Sequence, residues 1–293
     1  MQRILFYIVY AFLWVISILP FPIFYFISDC IYVLVYRIIG YRKKTVRDNI
    51  KLTLPHLTDK EVLQVEKKFY HHMCDMFMEM IKSMNISEEE MKKRFVFTNL
   101  EVYKNFEAKN KSIIVMYAHY ASWEWSITLV PYAKFICFGI YKKIKNPYFD
   151  KLVQDIRLKF GGVLIDTKNT VKTIKENEEK GILGAYGFIS DQTPSLKKAK
   201  YWDNFMGHFV PIHTGSENLA RELDMNVLYL KVMKKKRGHY EATFIPITDD
   251  AKSMPENEIT KRFITEVEKQ IYEAPEYYFW THKRWKFKKE KAQ

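Results

Sequence analysis

The stretch that decides the fold is Ser112-Ile113-Ile114-Val115-Met116-Tyr117-Ala118-His119-Tyr120-Ala121-Ser122-Trp123-Glu124. Ser112 to Ala118 is nearly continuous in apolar residues, the pattern of a strand covered on both faces. Sheets of this kind place their active sites beyond the carboxyl ends of the strands, and His119 stands there. Ser122 is placed to cap a following helix, with Glu124 in its first turn. A turn between the two would bring the carboxylate to the imidazole. The acid would then fix the tautomer and stabilise the imidazolium as His119 takes a proton from a hydroxyl. If that hydroxyl attacks a thioester directly, no Ser or Cys nucleophile is needed. The spacing alone fits a blander alternative better, a glutamate favoured at a helix start beside a solvated or core histidine.

Outward from this segment, strands and helices alternate. Phe95–Phe97, Val163–Ile165, Ile182–Ile189, Asn226–Val232 and Tyr240–Ile245 read as strands. Asp150–Phe160, Thr170–Glu179, Gly215–Leu223 and Glu256–Tyr272 read as helices. The alternation predicts an α/β sandwich with a mostly parallel or mixed sheet. Thr58-Asp59-Lys60-Glu61 is a capping box. Beyond it Val62, Val65, Phe69, Met73, Met76 and Met80 recur at helical spacing, giving a long amphipathic helix. His71, His72 and Cys74 lie on this helix, but adjacent residues there point about 100° apart, which argues against a shared metal.

Upstream, Ile4 to Leu19 is an unbroken apolar run. At 1.5 Å per residue it spans roughly 24 Å, a little short of the ~30 Å hydrocarbon core of a bilayer. Pro20 and Pro22 interrupt it, and the next apolar stretch, Ile23 to Ile39, carries Ser28 and Asp29. No small-residue cleavage site succeeds the first run, so an uncleaved anchor is expected rather than a signal peptide. Arg42-Lys43-Lys44 and Arg47 then place the rest of the chain on the cytoplasmic side. The expected organisation is a single N-terminal membrane anchor, residues 1–41, and one cytoplasmic domain, residues 42–293.

The 293 residues carry a formal charge of +13, so the partners are anions. Basic clusters at Lys197-Lys198 with Lys200, at Lys234 to Arg237 and from His282 to Lys291 suit phosphates, an acidic carrier protein or the membrane surface. Aromatics reach 16%, which suits a protein at a membrane–water boundary and an aromatic-rich core equally. Aromatics among basic residues also occur in single-strand nucleic-acid binders, a partner class that the apolar N-terminus argues against. Three scattered cysteines, Cys30, Cys74 and Cys137, form neither a disulfide framework nor a metal motif. His119, His208 and His213 lack ligand spacing, so no metal is expected.

Residues 113–124, IIVMYAHYASWE, resemble the motif of the bacterial lipid A biosynthesis acyltransferases, the late lauroyl and myristoyl transferases. The resemblance covers almost the whole chain. It takes in Arg42 to Asn49 with Leu54-Pro55, Tyr141 with Asn146-Pro147, and Arg157 with Gly161. Asp191-Gln192, Phe205-Met206-Gly207, and Gly215 with Leu219-Ala220-Arg221 come next in the family order. The tail from Pro275 to Lys286 is its most specific part.

The resemblance implies a sandwich of the glycerol-3-phosphate/lysophospholipid acyltransferase type behind a hydrophobic anchor helix. It implies an enzyme on the cytoplasmic face of the inner membrane, with an acyl thioester of acyl carrier protein or coenzyme A as co-substrate and no cofactor. The acceptor would be a hydroxyl on an acyl chain of a phosphorylated glucosamine disaccharide, an anionic lipid A precursor. His119 carries over as general base, Glu124 as its orienting acid, and Arg157 as an anion or oxyanion contact. Ser122, Asn146, Asp191, Gln192 and Arg221 are expected to line the substrate site. Two departures, Ser122 for the asparagine usual before Trp-Glu and Lys142-Lys143 where arginine-proline is common, leave an aminolipid, glycolipid or lysophospholipid acceptor open. A non-catalytic lipid binder on the same fold would be expected to lack His119 or Glu124, and both are present.

Overall fold

The structure, a computed structural model, describes residues 2–289. Glu290 and Lys291 of the basic tail, and the side chains of Ile4 and Lys198, lie outside the described residues.

Two apolar helices open the chain. α1 (Gln2–Ile18) stops before Pro20, and α2 (Phe21–Tyr32) restarts with Pro22 in its first turn, where a missing N–H breaks no helical bond. α2 runs on as a π-helical segment, Val33–Ile39, closed by Gly40 at φ 66°, a left-handed conformation natural to glycine. The sequence points to the first run as the anchor, yet the longest apolar helix is Phe21–Ile39, at 19 residues. Pro20 cuts the first run short, whereas no breaker interrupts the second.

This second helix is bound to the body on one face. Phe24 and Tyr36 are buried, while Ser28 donates to Asp75 (2.8 Å) and Tyr36 to Glu66 (3.0 Å). Ile23, Phe26, Leu34 and Ile38 on its outer side are exposed, as are Leu5, Ile8, Phe12 and Val15 of α1. Exposed apolar residues on two neighbouring helices suit lipid rather than water.

α3 (Lys43–Thr53) and α4 (Asp59–Lys82) come next. α4 starts at the expected capping box: Glu61 N donates to Thr58 Oγ1 (3.3 Å), and Thr58 N donates to the Glu61 carboxylate (2.8 Å). Val62, Phe69, Met73 and Met76 are buried. His71 faces Asp29 (2.9 Å) and His72 faces Lys234 (3.2 Å), diverging as adjacent helical residues must.

The chain continues through α5 (Glu88–Arg94), β1 (Phe95–Phe97), α6 (Leu100–Glu107), β2 (Ile113–Tyr117), a 3-10 segment Trp123–Tyr132, β3 (Ile136–Tyr141) and α7 (Pro147–Leu158). Then come β4 (Val163–Asp166), α8 (Thr170–Glu179), β5 (Gly184–Ile189), β6 (Tyr201–Phe205), β7 (His208–Ile212), α9 (Gly215–Glu222), β8 (Asn226–Lys236), β9 (His239–Thr248) and α10 (Glu258–Glu273). A seven-stranded sheet has the order β1-β9-β8-β2-β5-β3-β4. β8, β2, β5, β3 and β4 run parallel, and β9 reverses direction against β8. The result is a mixed α/β fold around a mostly parallel sheet, as the alternation of elements predicts.

β2 lies between β8 and β5, and its residues Ile113 to Met116 are buried, which is why its sequence lacks the alternation of a half-exposed strand. The helix expected after Ser122 is instead a 3-10 segment containing Pro131, and Ser122 makes no side-chain cap. Proline lacks the N–H that an α-helix interior needs.

Candidate active site

His119 leaves the carboxyl end of β2 in a loop that the C-terminal segment holds open. Phe279 N donates to the His119 carbonyl (3.1 Å), and Ala121 N donates to the Tyr277 carbonyl (2.9 Å). Ala121 sits at φ 50°, a left-handed value that costs a non-glycine residue about 1 kcal/mol or more and persists only where the surroundings enforce it. Trp123 meets the imidazole edge-on at 5.2 Å, and Phe279 stacks on it at 6.3 Å.

The carboxylate that reaches His119 is Asp191, not Glu124. Asp191 Oδ1 lies 2.7 Å from His119 Nδ1 and accepts the His119 backbone N–H at 3.1 Å. Burial acts to raise the Asp191 pKa, but the imidazole's charge and these two hydrogen bonds hold it below the ordinary aspartate value. An ionised acceptor places the proton of a neutral imidazole on Nδ1, leaving the Nε2 lone pair for a substrate proton.

Glu124, expected as the orienting acid, is held elsewhere. Arg157, in the last turn of α7, donates from Nε (2.9 Å) and Nη2 (2.6 Å) to the two Glu124 oxygens. Trp123 Nε1 adds a third bond at 3.2 Å. A planar fork matches a carboxylate better than an imidazole edge does, so Arg157 takes both oxygens. Burial opposes the charge on Arg157, yet Glu124 raises its pKa above the usual value. Two of the three guanidinium nitrogens expected to contact an anion are therefore already engaged.

Beside the pair opens a cavity of ≈ 110 Å³. Glu124, Arg157, Tyr117 and Tyr141 line it at the carboxyl ends of the strands, while Val115, Cys137, Ala185 and Leu129 line it farther along the sheet. Gly139 and Gly187 also face it. A methyl group at Gly187 would stand 3.0 Å from the Tyr117 hydroxyl, and one at Gly139 would stand 3.1 Å from Leu164, so side chains there would narrow the slot. A mostly apolar slot with a few polar groups at one end suits a hydrocarbon chain attached to a reactive carbonyl.

The other expected site residues divide. Asp191 holds the His119 imidazole, a closer contact than lining the site, and half-buried Gln192 is next to it in the same loop. Asn146 is the N-cap of α7, its side chain accepting from Tyr148 N (3.0 Å) and Phe149 N (3.3 Å). Ser122 is buried beneath the loop. Arg221 does not join the site. It precedes Asp224, whose carboxylate pairs with Lys111 at 2.7 Å just before β2 begins, which puts Arg221 at the opposite end of the sheet from His119. Among the described residues, the group of carboxylates and imidazole close enough for a metal, Asp29, His71 and Asp75, already surrounds the Arg237 guanidinium at 2.6 and 2.7 Å.

A half-buried histidine on a buried aspartate at the strand ends of a parallel sheet, with an apolar slot opening at the neighbouring Trp123 and Glu124, is a candidate active site compatible with acyl transfer. Comparison with known proteins agrees: the family described as "Bacterial lipid A biosynthesis acyltransferase" matches residues 1–287. The chain belongs to that family. It is 24% identical over 250 residues to a lipid A biosynthesis acyltransferase of Haemophilus influenzae, covering 83% of this chain and 76% of the relative. With the lipid A biosynthesis lauroyltransferase of Escherichia coli it shares 23% identity over 280 residues, 95% and 90% of the two chains. With the palmitoleoyltransferase of the same organism it shares 22% over 276 residues, 94% and 88%.

Proposed function

We propose that this acyltransferase moves a fatty acyl chain from a carrier-protein thioester onto a hydroxyl of a phosphorylated lipid A precursor, at the cytoplasmic face of the inner membrane. The observation that carries the reading is the His119–Asp191 pair, whose imidazole meets Trp123, a residue that also lines the apolar slot. The acyl chain lies in the slot, with its thioester carbonyl near Glu124 and Arg157. His119 Nε2 takes the proton of the acceptor hydroxyl as its oxygen attacks the carbonyl carbon. The tetrahedral intermediate collapses with cleavage of the C–S bond. The departing thiolate takes the proton from the imidazolium, so an ester and a free thiol leave and His119 is neutral again. Asp191 stabilises the transient imidazolium. The Glu124–Arg157 pair is a polar rim, and its remaining nitrogen, Nη1, which has no hydrogen-bond partner among the described residues, faces the carbonyl oxygen as it gains charge. No step calls for a metal or an organic cofactor. The sheet with helices on its faces is consistent with the lysophospholipid-acyltransferase type of sandwich.

The anionic acceptor has a basic surface to meet. Lys142, Lys143 and Lys145 after β3, and Lys168 after β4, are exposed at the carboxyl ends of adjacent strands. The nearby Lys151 and Lys172 are paired with Asp155 and Glu176, whereas these four have no ion-pair partner among the described residues. Phe6 of α1 packs on Tyr148 (5.3 Å) and Phe149 (5.5 Å) just beyond this loop. The apolar helix and the lysines therefore adjoin the same mouth, as suits a lipid whose phosphates stay at the interface. The test is transfer by the purified enzyme from acyl carrier protein to a phosphorylated disaccharide lipid and to its dephosphorylated form. Transfer with preference for the phosphorylated acceptor is expected; equal use of both would contradict the acceptor assignment, and no transfer to either would contradict the reaction.

A further inference from the structure

The loop after β5 and the basic C-terminal segment form one cationic surface beside His119. Residues 192–202 and 277–289 contain neither aspartate nor glutamate. Lys197, Lys200, Lys283, Lys286, Lys288 and Lys289 are exposed and have no ion-pair partner among the described residues. Elsewhere on the surface lysines stand against acids, as in Lys44 with Asp48, Lys92 with Glu88 and Lys151 with Asp155. Neighbouring charges of one sign repel, so a patch kept free of acids suits a partner of the opposite sign.

Printed contacts join the two segments. Thr193 Oγ1, two residues past Asp191, donates to the Arg284 carbonyl at 2.6 Å. At the far end of the loop Lys289 Nζ lies 4.2 Å over the Trp202 ring, and Lys289 N donates to the Phe209 carbonyl of β7 at 3.0 Å. Lys197 and Lys200 lie in the span between these two fastenings. Trp285 stacks on Phe205 of β6 at 5.7 Å and donates its Nε1 to the Phe205 carbonyl at 3.2 Å. Arg284, 1% exposed, lies with its guanidinium 5.0 Å over the same Phe205 ring. It fastens the segment from beneath, and the lysines keep their charges in water.

This surface borders the site. Phe279 N donates to the His119 carbonyl, and the Phe279 ring meets Trp123, which lines the slot, at 5.3 Å. It is also separate from the lysines after β3 and β4. Those adjoin α1, which packs on α4 and α7, whereas β6 packs on α10 and Asn49 of α3 holds the carbonyls of Trp280 (2.8 Å) and His282 (2.9 Å). The proposed reaction has two anionic substrates, and the site has two cationic surfaces. The one beside α1 meets the lipid, which leaves this one for the donor.

We propose that the surface formed by the loop after β5 and the C-terminal segment docks the acidic carrier protein that presents the acyl thioester. This rests on the reading of the donor as a carrier-protein thioester. The lysines steer the carrier's acidic face to the mouth at long range and hold it there while the acyl chain enters the slot.

The test uses the full-length enzyme in detergent, a phosphorylated disaccharide lipid as acceptor, and two donors of one acyl group: the acyl-carrier-protein thioester and the uncharged pantetheine thioester. Combined Lys197→Glu, Lys200→Glu, Lys286→Glu and Lys288→Glu should raise KM for the carrier-protein donor by about tenfold or more and leave kcat in place. The rate with the pantetheine thioester should not change. Lys134→Glu with Lys180→Glu, at exposed positions preceding β3 and β5 at the opposite end of the sheet, should alter neither donor. An unchanged KM for the carrier protein, or an equal loss with both donors, overturns the proposal. An equal loss from the distal pair does so too, because the response would then be to net charge alone. Flotation on vesicles containing anionic phospholipid should be the same for the wild type and the combined variant. Lost flotation with an unchanged carrier-protein KM would assign the surface to the membrane and overturn the proposal. A wild type inactive on both donors would contradict the acyl-transfer reading instead. Surface plasmon resonance of acyl carrier protein on the immobilised enzyme would still decide the docking: weaker binding by the combined variant supports it, and equal binding overturns it.

Discussion

His119 and Asp191 lie equally far past one rung of the sheet. Tyr117 of β2 pairs with Ile189 of β5, and each functional residue lies two positions beyond its strand's member of that pair. Parallel register alone brings the two loops side by side, and the 2.7 Å contact between Nδ1 and Oδ1 completes the pair. Asp191→Asn keeps the volume but offers an amide in place of a charge, so the imidazole no longer holds its proton on the right nitrogen. Transfer should fall by about 10³–10⁴-fold with an unchanged circular dichroism spectrum. A loss under tenfold in initial rate would show that Asp191 does not serve the base.

Glu124 and Arg157 form a second, half-buried unit, joined by two hydrogen bonds. Removing one partner leaves the other charged and desolvated. Glu124→Gln and Arg157→Met should each lower stability by about 2–4 kcal/mol, and the double variant should lose less than the sum of the two. Denaturant unfolding in micelles measures the coupling. Strict additivity would mean that the pair is not an energetic unit.

How much of the fold and site is legible in the sequence depends on where each signal lies. β2 can be read because a strand buried on both faces is continuously apolar, and α4 because its capping box is local in sequence. β3 and the β6–β7 hairpin give no such signal: Ile136–Tyr141 is a short run broken by Gly139, and the hairpin strands carry Asp203 and Asn204. His119 is marked by its place at a strand end. Its pairing with Glu124 is a wrong expectation because five positions along one chain look closer than 72, and sequence does not show that β5 neighbours β2. Arg157 is marked as well, but not that Glu124 would occupy its fork. Arg284 has no signal beyond the basic tail, since burial of a cation cannot be read from its neighbours in sequence.

Glu79 gives the fold a pH dependence of its own. It lies wholly buried between the hydroxyls of Tyr25 (2.9 Å) and Tyr240 (2.7 Å), and burial raises its pKa to about 7. A carboxyl whose folded pKa is raised binds its proton more tightly when folded. Its contribution is therefore fully present below the unfolded glutamate value of about 4.3 and is lost as pH rises to about 7, by about 3–4 kcal/mol. Unfolding curves for the wild type and Glu79→Gln should diverge across that window, with the variant lacking the decline. Parallel curves would mean that Glu79 ionises normally.

Chain-length preference should reside in the slot. Gly187 faces it, with room for a methyl group only 3.0 Å from the Tyr117 hydroxyl. Gly187→Ala should move the product spectrum from a mixed donor pool toward shorter acyl chains, changing the ratio of neighbouring chain lengths by about tenfold. Mass spectrometry of the products reads this ratio directly, and an unaltered spectrum would place the acyl chain elsewhere.

The most direct measurement is mass spectrometry of total lipids and lipid A from cells expressing the wild type or His119→Ala, both verified as folded and membrane-bound. The expected result is a lipid A species heavier by one acyl chain, present with the wild type and absent with His119→Ala. The same heavier species at equal abundance in both would contradict His119 as the base, and a gain confined to another lipid class would contradict lipid A as the acceptor.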